Sequence, residues 1–289
     1  MLIATLIGQG LSPGDIAVAS DALRAAGAEP GTPAWIDAGE AADLNVAKLD
    51  HAKVRAALEA ALPSYDVVVQ SAAMPRRKRL LIADMDSTMI TCECIDELAD
   101  YAGLKAEVAA VTEAAMRGEL DFVAALDARV ALLAGMDAGV IDQCRAERVR
   151  LSPGAVTLVR TMREAGAATV LVSGGFTAFA APVGAEIGFA HVVANVLEIV
   201  DGQLTGRVLR PVIDAATKRA ELLAAGVDLE SCLAVGDGAN DIPMLEAAGL
   251  GIAYHAKPKA AAAADAAVRV GDLRVLLWAQ GIGRRDWAD

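Results

Sequence analysis

The chain has 289 residues, of which 55% are hydrophobic, and this is enough for two domains with well-filled cores. Its net charge of −12 argues against non-specific binding to nucleic acid. Because no uncharged apolar stretch reaches about 18 residues and no basic leader opens the chain, the sequence predicts neither a membrane span nor a secretory signal, and we expect a cytoplasmic protein.

Residues 1–74 are predicted to form a small α+β domain. The predicted order is strand, helix, strand, strand, helix, strand, at 2–7, 13–26, 34–36, 44–46, 50–62 and 65–70. This ferredoxin-like order resembles the amino-acid-binding regulatory modules called ACT domains. The segment carries no constellation of catalytic residues, so dimerisation, stabilisation and sensing stay open as its role. The basic run at 76–79 is interpreted as a solvated linker, because it is short and has no aromatic residues between its charges.

The four apolar residues at 80–83 predict a short strand that is buried on both faces of a parallel sheet. Asp84 and Asp86 follow at its carboxyl end, where open α/β sheets bind their ligands. If the backbone stays extended here, both carboxylates project to the same side, because side chains alternate along a strand. A hard divalent cation would offset the repulsion between them.

The pentapeptide Asp84-Met85-Asp86-Ser87-Thr88 resembles the first motif of the haloacid dehalogenase-like phosphatases. The resemblance implies that Asp84 is a nucleophile and Asp86 a general acid and base. Without the motifs that follow, a strand ending in an Asp-rich turn would explain the pentapeptide equally well.

Residues 93–150 repeat apolar side chains at helical spacing and predict an inserted helical bundle. One branch of the family carries a helical cap over the active site at this point of the chain. Glu93, Phe122 and Arg129 stand at the spacings at which the phosphoserine-hydrolysing branch has its substrate-contacting Glu, Phe and Arg. Taken singly, they would fit a solvated acid, a core aromatic and a surface cation.

Four cysteines give no clear disulfide framework and agree with a reducing compartment. Cys92 and Cys94 lie two positions apart, which is a pattern also found at soft-metal sites. We disfavour such a site, because no His or further Cys pair stands nearby in the sequence to complete four ligands.

A strand predicted at 168–172 ends in Ser173-Gly174-Gly175, which resembles the family's second motif, a hydroxyl that hydrogen-bonds the phosphoryl group. Glycines there would let backbone N–H groups approach an anion closely. Lys218, at a predicted helix start, matches the third motif, a Lys that steadies the nucleophile and the phosphoryl charge. Residues 192–208 predict a β-hairpin, in which we expect Asn195 to be structural.

A buried strand predicted at 232–235 leads into Gly236-Asp237-Gly238-Ala239-Asn240-Asp241. This matches the family's fourth motif, Gly-Asp-Gly-x-Asn-Asp, whose acids hold Mg²⁺. Asp241 also fits as the N-cap of a helix with Pro243 in its first turn. None of the three histidines has a partner at ligand spacing, so we expect none of them to be catalytic.

Four motifs in the family's order predict an α/β fold. We expect a Rossmann-like parallel sheet with an inserted helical-bundle cap at about 93–150, in a phosphatase domain at 75–289, preceded by the ferredoxin-like, ACT-like domain at 1–74. The resemblance implies Mg²⁺-dependent hydrolysis of O-phospho-L-serine to serine and phosphate, the last step of serine biosynthesis, through an aspartyl-phosphate on Asp84.

The family roles fall on particular positions of this chain. The implied ligands of Mg²⁺ are Asp84, Asp86 (through its backbone carbonyl), Asp237 and Asp241. The implied contacts to the substrate are Glu93, Phe122, Arg129, Ser173, Gly174, Lys218 and Asn240.

Two other functions stay open at this point. A phosphotransferase that passes the phosphoryl group to another small acceptor, such as homoserine, would share the catalytic residues. A serine-sensing binding protein is the second alternative. The expected partner is a small molecule rather than nucleic acid or a membrane, and a homodimer stays open.

Overall fold

The computed structural model describes residues 1–116 and 119–288. Its first part, residues 2–71, folds as a separate antiparallel sheet with two helices, which we call the N-terminal unit. The elements are β1 Leu2–Ile7, α1 Pro13–Ala25, β2 Glu29–Pro30, β3 Ala34–Asp37, β4 Ala41–Ala47, α2 His51–Ala61 and β5 Asp66–Ser71. The strand order is β2-β4-β1-β5, and β3 also pairs with β4. Apolar side chains from the sheet and both helices, such as Leu6, Leu23 and Leu58, form a core of their own.

Local signals set the helix starts of the N-terminal unit. The Ser12 side chain accepts a hydrogen bond from the Asp15 backbone N–H at 3.2 Å, and the Asp15 carboxylate accepts one from the Ser12 N–H at 2.9 Å. This reciprocal capping box satisfies two N–H groups that the first turn of the helix leaves without partners. Asp50 caps α2 by accepting a hydrogen bond from the Lys53 N–H at 3.0 Å.

The second part is an α/β unit around a mostly parallel sheet. Its strands are β6 Leu80–Ala83, β7 Ala168–Phe176, β8 His191–Val200, β9 Gln203–Leu209, β10 Cys232–Gly236, β11 Leu250–Tyr254 and β12 Ala266–Val268. The order is β12-β11-β10-β6-β7-β8-β9, and only the β8 to β9 pairing is antiparallel among the described strands of this sheet. The prediction of an α/β fold with a parallel sheet is therefore confirmed.

Ten α-helices of the described residues accompany this sheet. A helical insertion between β6 and β7 contains α3 Cys94–Tyr101, α4 Lys105–Met116, α5 Phe122–Ala131 and α6 Gly139–Arg148. The others are α7 Ala155–Glu164, α8 Thr177–Ile187, α9 Ala215–Ala224, α10 Ile242–Ala247, α11 Pro258–Ala263 and α12 Val275–Ala279. None of the helices that the structure describes is long and apolar enough to cross a membrane.

Strand β6 lies in the middle of the sheet and is buried along its whole length. Leu81 and Ala83 belong to the core on one face, whereas Leu80 and Ile82 belong to the core on the other. This alternation explains why the strand appears in the sequence as a continuous apolar run. It also puts the residues that follow Ala83 at the carboxyl edge of the sheet.

Backbone hydrogen bonds attach the helical insertion to the α/β unit at two places, and α6 also packs against α8. Its two ends are joined to each other, since the Thr91 N–H donates to the Arg150 carbonyl at 3.0 Å. Its α5 to α6 connection is joined to the β8–β9 hairpin, where the Gly135 N–H donates to the Leu204 carbonyl and the Leu204 N–H donates to the Met136 carbonyl, both at 2.8 Å.

The prediction of a solvated linker at 76–79 is wrong for two of its residues. The Arg76 guanidinium donates two hydrogen bonds of 2.7 Å to the Asp43 carboxylate of β4. Lys78 is 5% exposed, and its ammonium donates to the Glu230 carbonyl at 2.8 Å. The segment thus holds the two units together, because a bidentate Arg–carboxylate pair fixes both position and orientation.

Candidate active site

Asp84 and Asp86 reach the carboxyl edge of the sheet by a different backbone path from the one predicted. The backbone is extended at Asp84 and again at Asp86 (φ −64°, ψ 136°), but Ser87 lies in the left-handed region at φ +52° and the Ile90 N–H donates to the Met85 carbonyl, so the chain turns over Met85–Met89. The prediction that the strand continues through Asp86 is therefore wrong, although the two acids themselves have extended dihedral angles. The turn still brings both carboxylates to the same cavity.

Lys218 connects two of the predicted acids. It lies in the first turn of α9, which Asp214 caps by accepting a hydrogen bond from the Thr217 N–H at 2.8 Å. The Lys218 ammonium is 2.8 Å from Asp84 Oδ1 and 2.7 Å from Asp241 Oδ1. Burial opposes the charge of Lys218, but the two carboxylates outweigh it and raise the pKa of the lysine above its ordinary value. Lys218 is therefore a fixed buried cation beside Asp84.

Asp241 uses its side chain in the site and not as a helix cap. One carboxylate oxygen binds Lys218, and the other accepts a hydrogen bond from the Gly238 N–H at 3.0 Å. A Cβ on Gly236 would lie 2.4 Å from the Asp241 carboxylate carbon, so only glycine allows this approach. The alternative interpretation of Asp241 as an N-cap thus describes its backbone position only.

Three carboxylates meet at this point. Oxygen atoms of Asp84, Asp237 and Asp241 lie within 4.8 Å of one another. Burial, followed by the charge of Asp241, raises the pKa of Asp84 well above its ordinary value and that of Asp237 to about 6. One ammonium cannot balance three buried acids, and oxygen ligands suit hard divalent cations, so the cluster fits Mg²⁺.

Asp86 stands apart from this cluster. Its carboxylate accepts a hydrogen bond from the Cys94 N–H at 3.0 Å. Burial first, and then the charge of Glu93, raises the pKa of Asp86 to about 7. Glu93 is itself held by the Ser87 hydroxyl, which donates to it at 2.8 Å. A carboxyl group with a pKa near neutrality can both release and accept a proton, as a general acid and base must do.

The end of β7 forms the next wall of the site. Ser173 is fully buried, and its hydroxyl oxygen accepts a hydrogen bond from the Gly175 N–H at 2.9 Å. A Cβ on Gly175 would lie 2.6 Å from an Asp86 carboxylate oxygen, which explains the glycine at this position. Asn195, expected to be structural, is 1% exposed and joins the end of β7 to the segment before α9: its amide donates to the Gly174 carbonyl and accepts from the Ile213 N–H, both at 2.8 Å.

A cavity of about 660 Å³ lies between this edge of the sheet and the helical insertion. Most of the predicted site residues line it, namely Asp84, Asp86, Glu93, Phe122, Arg129, Gly174, Asp237 and Asn240. Ser173, Lys218 and Asp241 are fully buried behind its wall. The structure therefore brings the predicted set together, although its members come from separate parts of the chain.

Among the described residues, the charged and aromatic side chains that the insertion contributes to the cavity wall are Glu93, Arg129 and Phe122. Phe122 is 38% exposed, and its ring would be 3.3 Å from a Cβ on Gly174. Arg129 donates to the Ala125 carbonyl at 3.3 Å and forms no ion pair with any residue that the structure describes. Its guanidinium therefore keeps donors for a bound anion.

The sequence analysis missed Lys257. It follows β11, lines the cavity, and its backbone N–H donates to the Asp237 carbonyl at 3.0 Å. Its position just beyond the carboxyl end of a parallel strand was a usable signal, because ligands bind at this edge of such sheets. The cysteines are poor metal ligands here, since burial raises the pKa of Cys92 to about 11 and that of Cys94 further.

Comparisons with known proteins point in one direction. Residues 81–246 match the family model of the haloacid dehalogenase-like hydrolases. A phosphoserine phosphatase of Streptomyces coelicolor is 51% identical over 236 residues, which are 80% of this chain and 57% of that protein. One from Polaromonas sp. is 48% identical over 208 residues, which are 69% of this chain and 88% of that protein.

A solved structure is similar over almost the whole chain. It is a probable phosphoserine phosphatase from Vibrio cholerae in unliganded form, with a TM-score of 0.79 and 35% identity, covering 96% of this chain and 87% of that one. Other relatives are longer: the chain spans little more than half of the Streptomyces coelicolor protein and of a phosphoserine phosphatase from Mycobacterium tuberculosis.

Proposed function

Because the chain belongs to the haloacid dehalogenase-like hydrolases, we propose that it is a phosphoserine phosphatase, which hydrolyses O-phospho-L-serine to L-serine and phosphate. The observation that carries the proposal is the composition of one cavity. Its sheet edge has a nucleophile, a buried lysine and a group of acids, whereas the opposite wall has Glu93 and Arg129. These two charges are complementary to the ammonium and carboxylate groups that distinguish phosphoserine from other phosphomonoesters.

In this mechanism Asp84 is the nucleophile. One of its oxygens attacks phosphorus and forms an aspartyl-phosphate, while the bond to the serine oxygen breaks. Lys218, 2.8 Å from Asp84, favours the ionised form of the attacking group and so partly offsets the burial that raises its pKa. Ser173 and the backbone at Gly174 bind phosphoryl oxygens, with a hydroxyl and N–H groups available as donors.

Asp86 is the general acid and base. With a pKa of about 7 it is protonated in a large share of molecules at neutral pH and can give a proton to the departing serine oxygen. The resulting carboxylate then takes a proton from the water that attacks the aspartyl-phosphate. The hydrogen bond from the Cys94 N–H orients this carboxyl group in both steps.

Asp84, Asp237, Asp241 and the Asp86 carbonyl would hold Mg²⁺. When bound, the ion supplies positive charge that screens the anionic nucleophile from the anionic phosphoryl group. The three clustered carboxylates support this assignment, because their mutual repulsion without a cation is unfavourable.

The helical insertion is proposed to act as a cap. Arg129 would bind the substrate carboxylate with two parallel hydrogen bonds, and Glu93 would pair with the ammonium. Phe122, half-exposed over Gly174, would exclude water from the closed site. Asn240, on the opposite loop of the same cavity, would contact the substrate as well.

The N-terminal unit is proposed to be a ferredoxin-like domain similar to the ACT modules. The support is its strand order, in which β1 lies between β4 and β5 and every pairing is antiparallel. We further propose that the protein acts in the cytoplasm on a small-molecule substrate.

Phosphate release is the direct test of the function. The wild type and Asp84→Asn are assayed with O-phospho-L-serine, O-phospho-L-threonine, glucose 6-phosphate and p-nitrophenyl phosphate, each with Mg²⁺ or with excess chelator. We expect Mg²⁺-dependent turnover with the highest kcat/KM for phosphoserine, and none with Asp84→Asn. Full turnover in chelator, or a clear preference for a sugar phosphate, would refute the proposal.

A further inference from the structure

The N-terminal unit reaches the edge of the active site through a chain of hydrogen bonds that begins at Asp66. This residue opens β5 and is 1% exposed. Its carboxylate accepts three hydrogen bonds from consecutive backbone N–H groups that follow β12 in the other unit. The distances are 2.7 Å to Arg269, 3.1 Å to Val270 and 2.6 Å to Gly271. A carboxylate bound by three N–H groups fixes the peptide planes of that turn.

The turn at 269–271 in turn holds His255. The imidazole Nε2 is hydrogen-bonded to the Gly271 carbonyl at 2.9 Å, and the His255 N–H donates to the Val268 carbonyl at 2.9 Å. His255 has φ +43°, in the left-handed region that side chains other than glycine rarely adopt. Such a conformation persists only where the surroundings hold it, and the two hydrogen bonds are what holds it here.

His255 begins the turn that ends at Lys257 beside the candidate metal site. The Lys257 N–H donates to the Asp237 carbonyl at 3.0 Å, and the Lys257 side chain lines the cavity. The backbone of Asp237 thus lies between two supports: β10, which pairs with β11 up to Gly236, and the turn at 255–257, which binds the Asp237 carbonyl. The second support depends on the shape that His255 gives to that turn.

We propose that Asp66 and His255 are positioning residues for the metal-binding loop, so that the N-terminal unit sets the affinity of the active site for Mg²⁺. This inference rests on the proposed function of Asp237 as a metal ligand. It gives the N-terminal unit a role in the chemistry, although the unit carries no constellation of catalytic residues. Neither residue lines the cavity, so both act through the backbone that carries Asp237.

The test measures metal binding first and turnover second. Mg²⁺ is titrated by calorimetry into the metal-free wild type, Asp66→Asn, His255→Ala and His255→Gln. Asp66→Asn keeps the shape of the side chain but replaces one acceptor oxygen with an amide donor that faces an N–H group. His255→Gln keeps a polar atom near the position of Nε2, whereas His255→Ala removes it. Outer-shell partners of metal ligands typically contribute 10- to 100-fold in affinity, so we expect the Kd for Mg²⁺ to rise about tenfold in Asp66→Asn and His255→Ala and about twofold in His255→Gln.

Asp37→Asn is the matched control for a loosened interface. Asp37 also accepts hydrogen bonds across the two units, from Trp278 Nε1 at 2.6 Å and from the Arg284 N–H at 2.9 Å, but these contacts do not lead to the turn at 255–257. Its Mg²⁺ affinity should equal that of the wild type. Equal affinity in all variants would overturn the proposal, and so would an equal loss in Asp37→Asn.

Two further results keep the test decisive. If circular dichroism shows that Asp66→Asn does not fold, the proposal is decided by the difference in Mg²⁺ affinity between His255→Ala and His255→Gln. If the wild type binds Mg²⁺ but releases no phosphate from phosphoserine, the proposed function fails, and the calorimetry still tests the positioning role. In an active enzyme, kcat at saturating Mg²⁺ should recover in His255→Ala, because the variant lowers metal affinity and leaves Asp84 and Asp86 in place.

Discussion

Replacing Lys218 by methionine is expected to leave two buried carboxylates without their cation. At 2.7 and 2.8 Å, each ion pair of Lys218 has a Coulomb energy of about 6 kcal/mol at an effective dielectric constant of about 20. The cost of desolvating the charges offsets most of this, and removal of one partner of a buried pair typically lowers stability by about 3–5 kcal/mol. We expect a loss of this size for Lys218→Met in metal-free protein at pH 7.5, together with loss of phosphatase activity.

Urea denaturation followed by circular dichroism measures the loss, and two companion variants identify its origin. Lys53→Met removes an exposed lysine paired with Asp50 and should change the free energy of unfolding by less than about 1 kcal/mol. In the double variant Lys218→Met/Asp241→Asn, one of the two repelling carboxylates is gone. The double variant should therefore be more stable than Lys218→Met by about 1–2 kcal/mol.

The pH dependence supplies a further check. Without Lys218 the pKa of Asp84, already raised by burial, should rise further, so more of this carboxyl group is protonated as the pH falls. The deficit of Lys218→Met should accordingly shrink between pH 7.5 and pH 5.5. Two results together would refute the electrostatic reasoning and assign the loss to packing. In the first, Asp241→Asn lowers the free energy of unfolding of Lys218→Met by as much as it lowers that of the wild type. In the second, the stability difference between Lys218→Met and the wild type does not depend on pH.

Three other predictions concern the acids and the insertion. Asp86→Asn should lower phosphoserine turnover by about 10²- to 10⁴-fold but should still form a hydroxylamine-sensitive phosphoenzyme. Asp84→Asn should form no phosphoenzyme, and its detection there would disprove the assignment of Asp84 as the nucleophile. The folded state raises the pKa of Asp86 from 3.8 to about 7, so Asp86 binds a proton more tightly in the folded protein than in the unfolded chain. The free energy of unfolding of the metal-free protein should therefore fall as the pH rises from 4 to 7. Urea denaturation across this pH range should show that the free energy of unfolding falls less steeply with pH in Asp86→Asn than in the wild type. An equally steep fall in both proteins would mean that the protonation of Asp86 does not cause it. Arg129→Ala and Glu93→Gln should weaken phosphoserine binding by about 2–5 kcal/mol but largely spare p-nitrophenyl phosphate; proportional losses on both substrates would mean that these residues only hold the insertion together.

The elements that the sequence predicts well are those whose signal is local. The apolar run at 80–83 and the acids after it already define a buried strand with a polar end. Asp237 and Asn240 follow β10 in the same way. Because parallel strands end at one edge of a sheet, their proximity needs no further information. Ser12 is likewise recognisable as a cap from its position before Pro13.

Long-range contacts account for what the sequence analysis missed. Arg76 and Lys78 appear as a basic run, and only the folded chain brings Asp43 and the Glu230 carbonyl to them. Asp66 has no neighbour in the sequence that predicts three N–H donors more than 200 positions away. The turn after Asp84 depends on the left-handed conformation of Ser87, a residue for which this conformation is uncommon.

The double attachment of the helical insertion has a mechanical consequence. A body fastened at a single point can swing in any direction, whereas one fastened at two points turns only about the line that joins them. The bond between Thr91 and Arg150 marks one end of such a line, and the bonds of Leu204 to Gly135 and Met136 mark the other. Any swing of the insertion that keeps both fastenings has one degree of freedom, so Phe122 and Arg129 would approach and leave the sheet edge together, along a single arc.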